Sequence, residues 1–408
     1  MPVIYLEESP TPIYARIARA LGQELARRGH EVLLVKPAGF NTTTFPEFLK
    51  AQRGAVYLST AGSNVIQQRA DGRAGHFFED FPGRLVFLHQ DALLGGLSFE
   101  AAQSRLRAWQ RVAGRSAHLC IEPDSVGGQR ADAVGIERAA WVPHASEFAP
   151  TAPLDTADCR HGASFVGHAL PWSYQPRMAN ASLEQLLAGL LEQRSAQLDT
   201  ALHPALLPWV DRSLSAFSGM PDASDVAVSR QAYVHWLRGQ CNLRTMAFRG
   251  RLLEQAAAAG MTDVTVYGGD PAYLHRVDRQ ATLGHGIRHE PPVYDDAAVH
   301  GIYRASACSI NISSLQFDHA VVNRVHDVFM AGGLCLTDRR PGLPELTREH
   351  ADISYATPDE LHDRVRHFAN PRHATQRRHL IEAVQRDVMQ HSGYPKVVDG
   401  IEAMLVRL

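Results

Sequence analysis

The sequence is poor in the residues that staple, anchor or strongly charge a chain. Its five cysteines (Cys120, Cys159, Cys241, Cys308, Cys335) are odd in number, far apart and never spaced C-x-x-C. That pattern excludes a disulfide framework and argues against a zinc site, and thiols in apolar runs suit a reducing cytoplasm. No apolar run reaches the ~18 residues of a membrane span, and no basic leader precedes the first strand. The net charge is only -2, from 41 basic and 43 acidic side chains, so a basic face for nucleic acid is not expected. G-x-G-x-x-G is missing after the first strand, as is a P-loop, which counts against a dinucleotide cofactor and against phosphate cradling of the P-loop kind. The 21 histidines form neither HExxH nor a convincing cluster, so no metal site is expected. Internal repeats and low-complexity tracts are missing too.

What remains is a globular composition, 45% hydrophobic over 408 residues, enough for two cores. Short apolar runs at 3–6, 31–36, 55–59, 85–88, 118–121 and 140–142 alternate with helical or polar stretches. This predicts a parallel sheet covered by helices, with ligands at the carboxyl ends of its strands. The first helix opens at Pro12 and repeats Ile13, Ile17, Leu21 and Leu25 before Gly29 ends it. Two loops of this half matter for chemistry. Glu8 and Ser9 follow the first strand and are placed to meet an acceptor. His89 and Asp91 follow the strand at 85–88, and either has the chemistry of a base for an acceptor hydroxyl. An ordinary structural loop is the equal alternative for both.

A polar linker is expected near 150–160. The second domain then starts with the strand at 163–166, and a mainly helical stretch over 179–259 reads as an insertion. The strand 264–267 ends at Gly268, where a ligand can approach backbone closely. A short strand ends near Val293, and Asp295 caps the next helix. The stretch 307–338 reads as strand, polar loop, helix and strand, with Val322, Val325, Phe329 and Met330 at helical spacing and Gly332-Gly333 as the stop. Such a unit aims the N–H groups of the helix N-terminus beyond the preceding strand, where a diphosphate fits. Arg324 adds a fixed cation. Asp327, about one turn on, can take the hydroxyls of a ribose.

The run Asn323-x-x-x-Asp327 followed by Phe329, Met330, Ala331, Gly332, Gly333 and a strand ending Thr337-Asp338 resembles the donor-binding segment of group 1 glycosyltransferases with the GT-B fold. Its nearest likeness is to the CgeB-like (spore-maturation-protein-like) branch, with its Asn-x-Arg-x-x-Glu type pattern. The usual Glu-x7-Glu motif would fall on His319 and Asp327, so its first acidic residue, near the transferred sugar, is replaced. The Gly29-His30-Glu31-Val32 turn, the Phe165-Val166-Gly167 strand end and the Asp359-Glu360-Leu361 helix start also resemble that family.

The resemblance implies an α/β protein with two Rossmann-like domains, parallel sheets facing a central cleft and a helical insertion in the second. Residues 1–150 would form the acceptor side and 160–392 the nucleotide-sugar side, with 393–408 a terminal helix at the junction. It implies metal-independent transfer of a hexosyl group from a nucleoside diphosphate sugar, a substrate rather than a cofactor. The acceptor would be a bacterial surface glycan or a protein such as flagellin, and a homodimer is a further partner to test. Donor contacts would come from Gly268, Val293 at the base, His319, Val322, Asn323, Arg324, Asp327 and Arg177. A nucleotide-sugar epimerase and a non-catalytic scaffold of the same fold stay open as alternatives.

Overall fold

The structure is a computed structural model that describes residues 2–9, 11–36, 53–60, 66–68, 74–91, 94, 97–123, 136, 138–215, 223–268 and 287–408. In chain order it runs β1 (Val3–Glu7), α1 (Pro12–Arg27), β2 (Glu31–Val35), β3 (Val56–Ser59), β4 (Ile66–Gln68), β5 (Ala74–His76), β6 (Arg84–His89), α2 (Phe99–Val112), β7 (Ser116–Cys120) and β8 (Ala139–Trp141). Then come β9 (His161–Val166), α3 (Ala181–Ala196), α4 (His203–Ser215), α5 (Ala223–Asn242), α6 (Thr245–Ala258), β10 (Val264–Tyr267) and β11 (Ile287–Glu290). The rest is α7 (Asp296–Arg304), β12 (Ser306–Asn311), α8 (Asn323–Met330), β13 (Cys335–Asp338), α9 (Leu343–Leu346), α10 (His350–Ile353), β14 (Ser354–Tyr355), α11 (Pro358–Ala369), α12 (Ala374–His391) and α13 (Tyr394–Arg407).

These elements form two compact units, neither contiguous in sequence. The first holds Met1–Glu147, Leu206–Gly239 and Gly393–Leu408; the second holds Phe148–Ala205 and Gln240–Ser392. Each contains a six-stranded sheet, and every neighbouring pair within it is parallel. The only antiparallel pair among the described residues is the small β4–β5 hairpin.

In the first unit the sheet order is β2-β1-β3-β6-β7-β8, and successive side chains go to opposite faces. Ile4, Leu6, Val56, Leu58, Val86 and Leu88 meet α1 and α13, where Ile17, Leu21, Leu25, Val398 and Ile401 are buried. Tyr57, Leu85 and Phe87 meet α2 and the ring cluster of Phe77, Phe78 and Phe81. Val228 and Ala232 of α5 join this second core. Gln103 of α2 donates to Ser229 Oγ at 2.9 Å, and Arg238 lies 3.8 Å from buried Glu122 just past β7. Part of the stretch expected as an insertion of the second domain, 206–239, therefore groups with the first unit, because its apolar face completes that core.

In the second unit the order is β11-β10-β9-β12-β13-β14. The chain passes from β9 to β10 and β11 on one side and then crosses back to β12 on the other, which with the usual right-handed connections puts helices on both faces. α6 packs with α11, while α8 packs with α7 and α12. The strand order reverses between β9 and β12 here and between β1 and β3 in the first unit. In open α/β sheets such a switch point, at the carboxyl ends of the strands, is where a crevice for ligand opens.

Candidate functional site

At the switch point of the second unit, β9 ends in Phe165-Val166-Gly167 and β12 in Asn311. Gly167 sits at φ +149, and a Cβ there would lie 2.9 Å from Arg324 Nη2. Gly268, past the end of β10, has a different constraint: its Cβ would lie 2.0 Å from Gly167 O. Two strand ends thus meet backbone to backbone, and Gly268 is required by that packing.

α8 starts beyond β12 without a side-chain cap; Val325 N turns back to Val322 O at 3.0 Å, and the N–H groups of Asn323 and Arg324 are the ones open to another partner. Val322, Asn323 and Arg324 are half-buried, and the helix is buried from Val325 on. Arg324 donates to Asn311 Oδ1 at 3.2 Å and lies 5.6 Å from the Phe165 ring. It also hydrogen-bonds the Tyr303 phenol, whose pKa burial raises. A second guanidinium, Arg249 of α6, lies 5.9 Å from the same ring and donates through Nε to Ile312 O at 3.0 Å. Burial, and then the like charge of Arg324, push the Arg249 pKa down to about 9, against the pull of Asp338 and Tyr355. Among the described residues neither guanidinium bonds a carboxylate.

The nearby carboxylates are engaged in holding the loop between β12 and α8. Asp338, at the end of β13, accepts from Ser313 N at 2.9 Å and Ser313 Oγ at 2.8 Å, and pairs with Arg340. Burial raises its pKa. Asp318 accepts from Leu202 N at 2.9 Å and His203 N at 2.7 Å, which ties the loop to the start of α4. Arg340 adds a 2.7 Å bond to Phe317 O. The loop is built before any ligand arrives.

The other candidates are placed as follows. Asp327 is one turn into α8 and 6% exposed. His319 is 3.7 Å from Glu345, and its carbonyl accepts from Gly342 N at 3.2 Å. Val293 is half-buried just beyond β11, beside Tyr294, which is 77% exposed. Arg177 is exposed on the loop before α3. Arg324, Val322 and Asn323 therefore share one helix end, and Gly268 shares the neighbouring strand ends.

In the first unit Glu8 makes surface pairs with Arg19 at 3.5 Å and Lys36 at 3.3 Å, while Ser9 Oγ accepts from Thr11 N at 3.2 Å. Their neighbour Glu7 is the buried one. It accepts from Tyr57 OH at 2.7 Å and from Ser59, and burial raises its pKa despite the Arg105 charge. His89 closes β6 with Nε2 3.0 Å from His118 Nδ1, and burial, then Arg105, pull its pKa down to about 3. Asp91 is half-buried two residues on.

Sequence reasoning did not single out Arg249, Asn311, Glu7, Arg105 or His118. Glu7 was within reach, since strand alternation sets it on the same face as Tyr5, turned inward. Arg249 had no local signal, because its partners Phe165 and Ile312 are distant in sequence.

Among the described residues no group of three or more His, Cys, Asp or Glu could hold a metal ion, and no helix is long and apolar enough to cross a membrane. Residues 244–403, which include Arg249, Asn311, Arg324 and Asp327, match the family profile described as "Glycosyl transferase-like". Comparison with curated protein sequences finds no match. Among solved structures, the DNA-modifying enzyme beta-glucosyltransferase, studied with and without uridine diphosphoglucose, aligns with a TM-score of 0.53 at 9% identity over 100% of both chains. T4 phage beta-glucosyltransferase with its UDP-glucose substrate aligns at 0.51 and 8% identity, over 99% of this chain and 98% of that one. An alpha-glucosyltransferase bound to UDP and a 13-mer DNA aligns at 0.52 and 8%, with the same coverage. At such identities the likeness is one of fold. The chain has the GT-B fold and carries a glycosyltransferase-like domain.

Proposed function

We propose that this protein transfers a hexosyl group from a nucleoside diphosphate sugar to an acceptor hydroxyl, with the donor diphosphate at the N-terminus of α8. The observation that carries this reading is the pair Arg249 and Arg324. Two guanidiniums lie against one aromatic ring, the charge of Arg324 adds to the cost of burying Arg249, and among the described residues no carboxylate bonds either. A bound diphosphate supplies the missing negative charge, and the uncapped helix end adds N–H donors.

In the reaction the bond from the anomeric carbon to the diphosphate oxygen breaks, and a bond to the acceptor oxygen forms as its proton passes to a base such as Asp91 or to the departing diphosphate. Negative charge grows on the departing diphosphate. Arg324, Arg249 and the helix N-terminus are fixed in place before it develops, which is the efficient way to stabilise it without a metal. Asp327 takes the ribose hydroxyls, the backbone at Val293 reads the base, and the exposed ring of Tyr294 offers it a stacking face. His319 lies toward the transferred sugar, with Gly268 on the donor side and Arg177 as an outer phosphate contact. Glu8, Ser9, His89 and Asp91 belong to the acceptor side.

The solved glucosyltransferases are named with UDP or UDP-glucose, which makes uridine the first base to test. DNA is named with two of them, but the balanced charge of this chain supports a glycan or protein acceptor. The Asn323, Arg324 and Asp327 pattern supports the CgeB-like branch.

The test is thermal unfolding against UDP, GDP, dTDP, CDP and CMP. One diphosphate at 100 times its Kd should add about 2.7 kcal/mol of stability. The shift should vanish in Arg324→Ala. A protein indifferent to all five would not be a transferase of this kind. Interconversion of nucleotide sugars without any acceptor would instead favour an epimerase.

A further inference from the structure

The first unit holds a polar arrangement whose role the donor site leaves open. His89, at the end of β6, and His118, in the middle of β7, have rings parallel to within 5° and 5.3 Å apart, with His89 Nε2 3.0 Å from His118 Nδ1. That spacing fits two imidazoles joined edge to edge through one hydrogen. Phe87 lies 5.0 Å from the His118 ring, and Trp109 meets both imidazoles at steep angles, 4.9 Å from His118 and 5.3 Å from His89.

Of the four ring nitrogens, two form this bond. His118 is 1% exposed, and its Nε2 is buried with no hydrogen-bond partner among the described residues. His89 Nδ1 is neither bonded to a described residue nor fully sealed from solvent. It is the one nitrogen of the pair that keeps some exposure, at the carboxyl edge of the sheet, where His89 is 6% exposed overall.

The shared hydrogen can belong to either ring. If His118 donates, it leaves a bare Nε2 lone pair buried with no bonded donor among the described residues, in surroundings that include the rings of Phe87 and Trp109. If His89 donates, His118 carries its own hydrogen on Nε2, and a neighbouring aromatic ring is a weak acceptor for an N–H but not a donor to a bare lone pair. The second arrangement sets opposite polarities against each other and gives both imidazoles the ordinary neutral Nε2–H form. It also bares the Nδ1 lone pair of His89. The tautomer of one ring is thus set by the hydrogen bond of the other.

We propose that His118 is a positioning residue that fixes His89 in its Nε2–H form, so that His89 Nδ1 accepts a hydrogen bond from a hydroxyl of a sugar-like ligand. Arg105, reaching in from α2, is the charged group acting on His89, and burial acts in the same direction, so the imidazole stays uncharged at neutral pH. His118 is held neutral as well, by burial and by His89. His89 therefore orients a hydroxyl and does not store its proton. A carboxylate in the place of His118 would instead favour the charged imidazolium. The role in catalysis rests on the transfer reading above; the tautomer does not.

The experiment is two-bond nitrogen–proton NMR on protein labelled with nitrogen-15 at histidine, with the two rings assigned from His89→Gln and His118→Asn. Both rings should show a hydrogen on Nε2 and a bare Nδ1, unchanged from pH 8 to pH 5. His118→Asn keeps an oxygen that accepts from His89 and should preserve that pattern. His118→Phe should release His89 into mixed tautomers, seen as a hydrogen on His89 Nδ1 in part of its signal. A hydrogen on His89 Nδ1 in the parent protein, or titration of His89 between pH 5 and 8, would overturn the proposal. If His118→Phe does not fold, the parent and His118→Asn spectra still decide. The expected tautomers in a protein that binds no nucleotide would uphold the positioning role and remove only the transfer reading.

Discussion

At the switch point of the second unit the sheet ends in two cations that, among the described residues, no carboxylate bonds, beside a helix without a side-chain cap. At the switch point of the first it ends in Glu7, enclosed by Tyr57, Ser59 and Arg105, with a neutral histidine pair two strands away. The contrast lies in how charge is balanced. Polar groups that answer one another inside a core specify local geometry. Cations answered only by neutral groups, as Arg324 is by Asn311 and Arg249 by Ile312 O, are costly unless something from outside completes them, and the proposed diphosphate would do so.

The comparison can be broken or sharpened by removing one charge at a time. Asp338→Ala leaves Arg340 and Ser313 without their buried partner and should cost about 3–5 kcal/mol, read as a fall in the urea midpoint. Arg324→Ala should do the reverse: stability nearly unchanged or slightly raised, as the repulsion with Arg249 is relieved. Its UDP affinity by calorimetry should fall by about 2–3 kcal/mol, or roughly 30- to 150-fold. Equal loss of stability in both variants would erase the distinction between compensated and open charge. Gly268→Ala forces β9 and β10 apart at Gly167 and should cost about 1–3 kcal/mol in the same urea titration. Smallest is the effect at Glu7. Its folded pKa is raised, so its contribution to stability is fully present below about 4.5 and is lost as pH rises through the folded value. Glu7→Gln should therefore compare better with the parent at pH 8 than at pH 4, and a constant difference across that range would count against a raised pKa.

Much of the framework was legible. The apolar run Val264–Tyr267 is a strand over its whole length, Pro12 opens α1, and the side chain of Asp295 accepts from Ala298 N at 2.8 Å as a cap should. Ile13 is the exception in α1. It lies 39% exposed although it continues the spacing of Ile17, Leu21 and Leu25. Each four-residue step overshoots a full turn by ~40°, so three steps carry it off the buried stripe. α2 and α12 were not singled out from the sequence, and each turns an arginine, Arg105 or Arg377, to its buried face. Both arginines prove to be buried, Arg105 beside Trp109 and Arg377 donating to the carbonyls of Ser306, Ala307 and Leu154. The candidate site was half legible. Arg324 and the end of α8 follow from a βαβ pattern, which is local. Arg249, Asn311 and the His118 contact to His89 depend on pairing between strands and helices far apart in sequence.

The discontinuous make-up of the first unit bears on how the chain is synthesised. β1 to β8 leave the ribosome early, yet one face of their sheet waits for α5, and the other waits for α13, made only after the whole second unit. Val56, Leu58, Val86 and Leu88, which share a core with α1 and α13, keep only part of their cover until α13 is made, a surface open to chaperones and to aggregation. The half of the molecule that is made first is the half that is finished last.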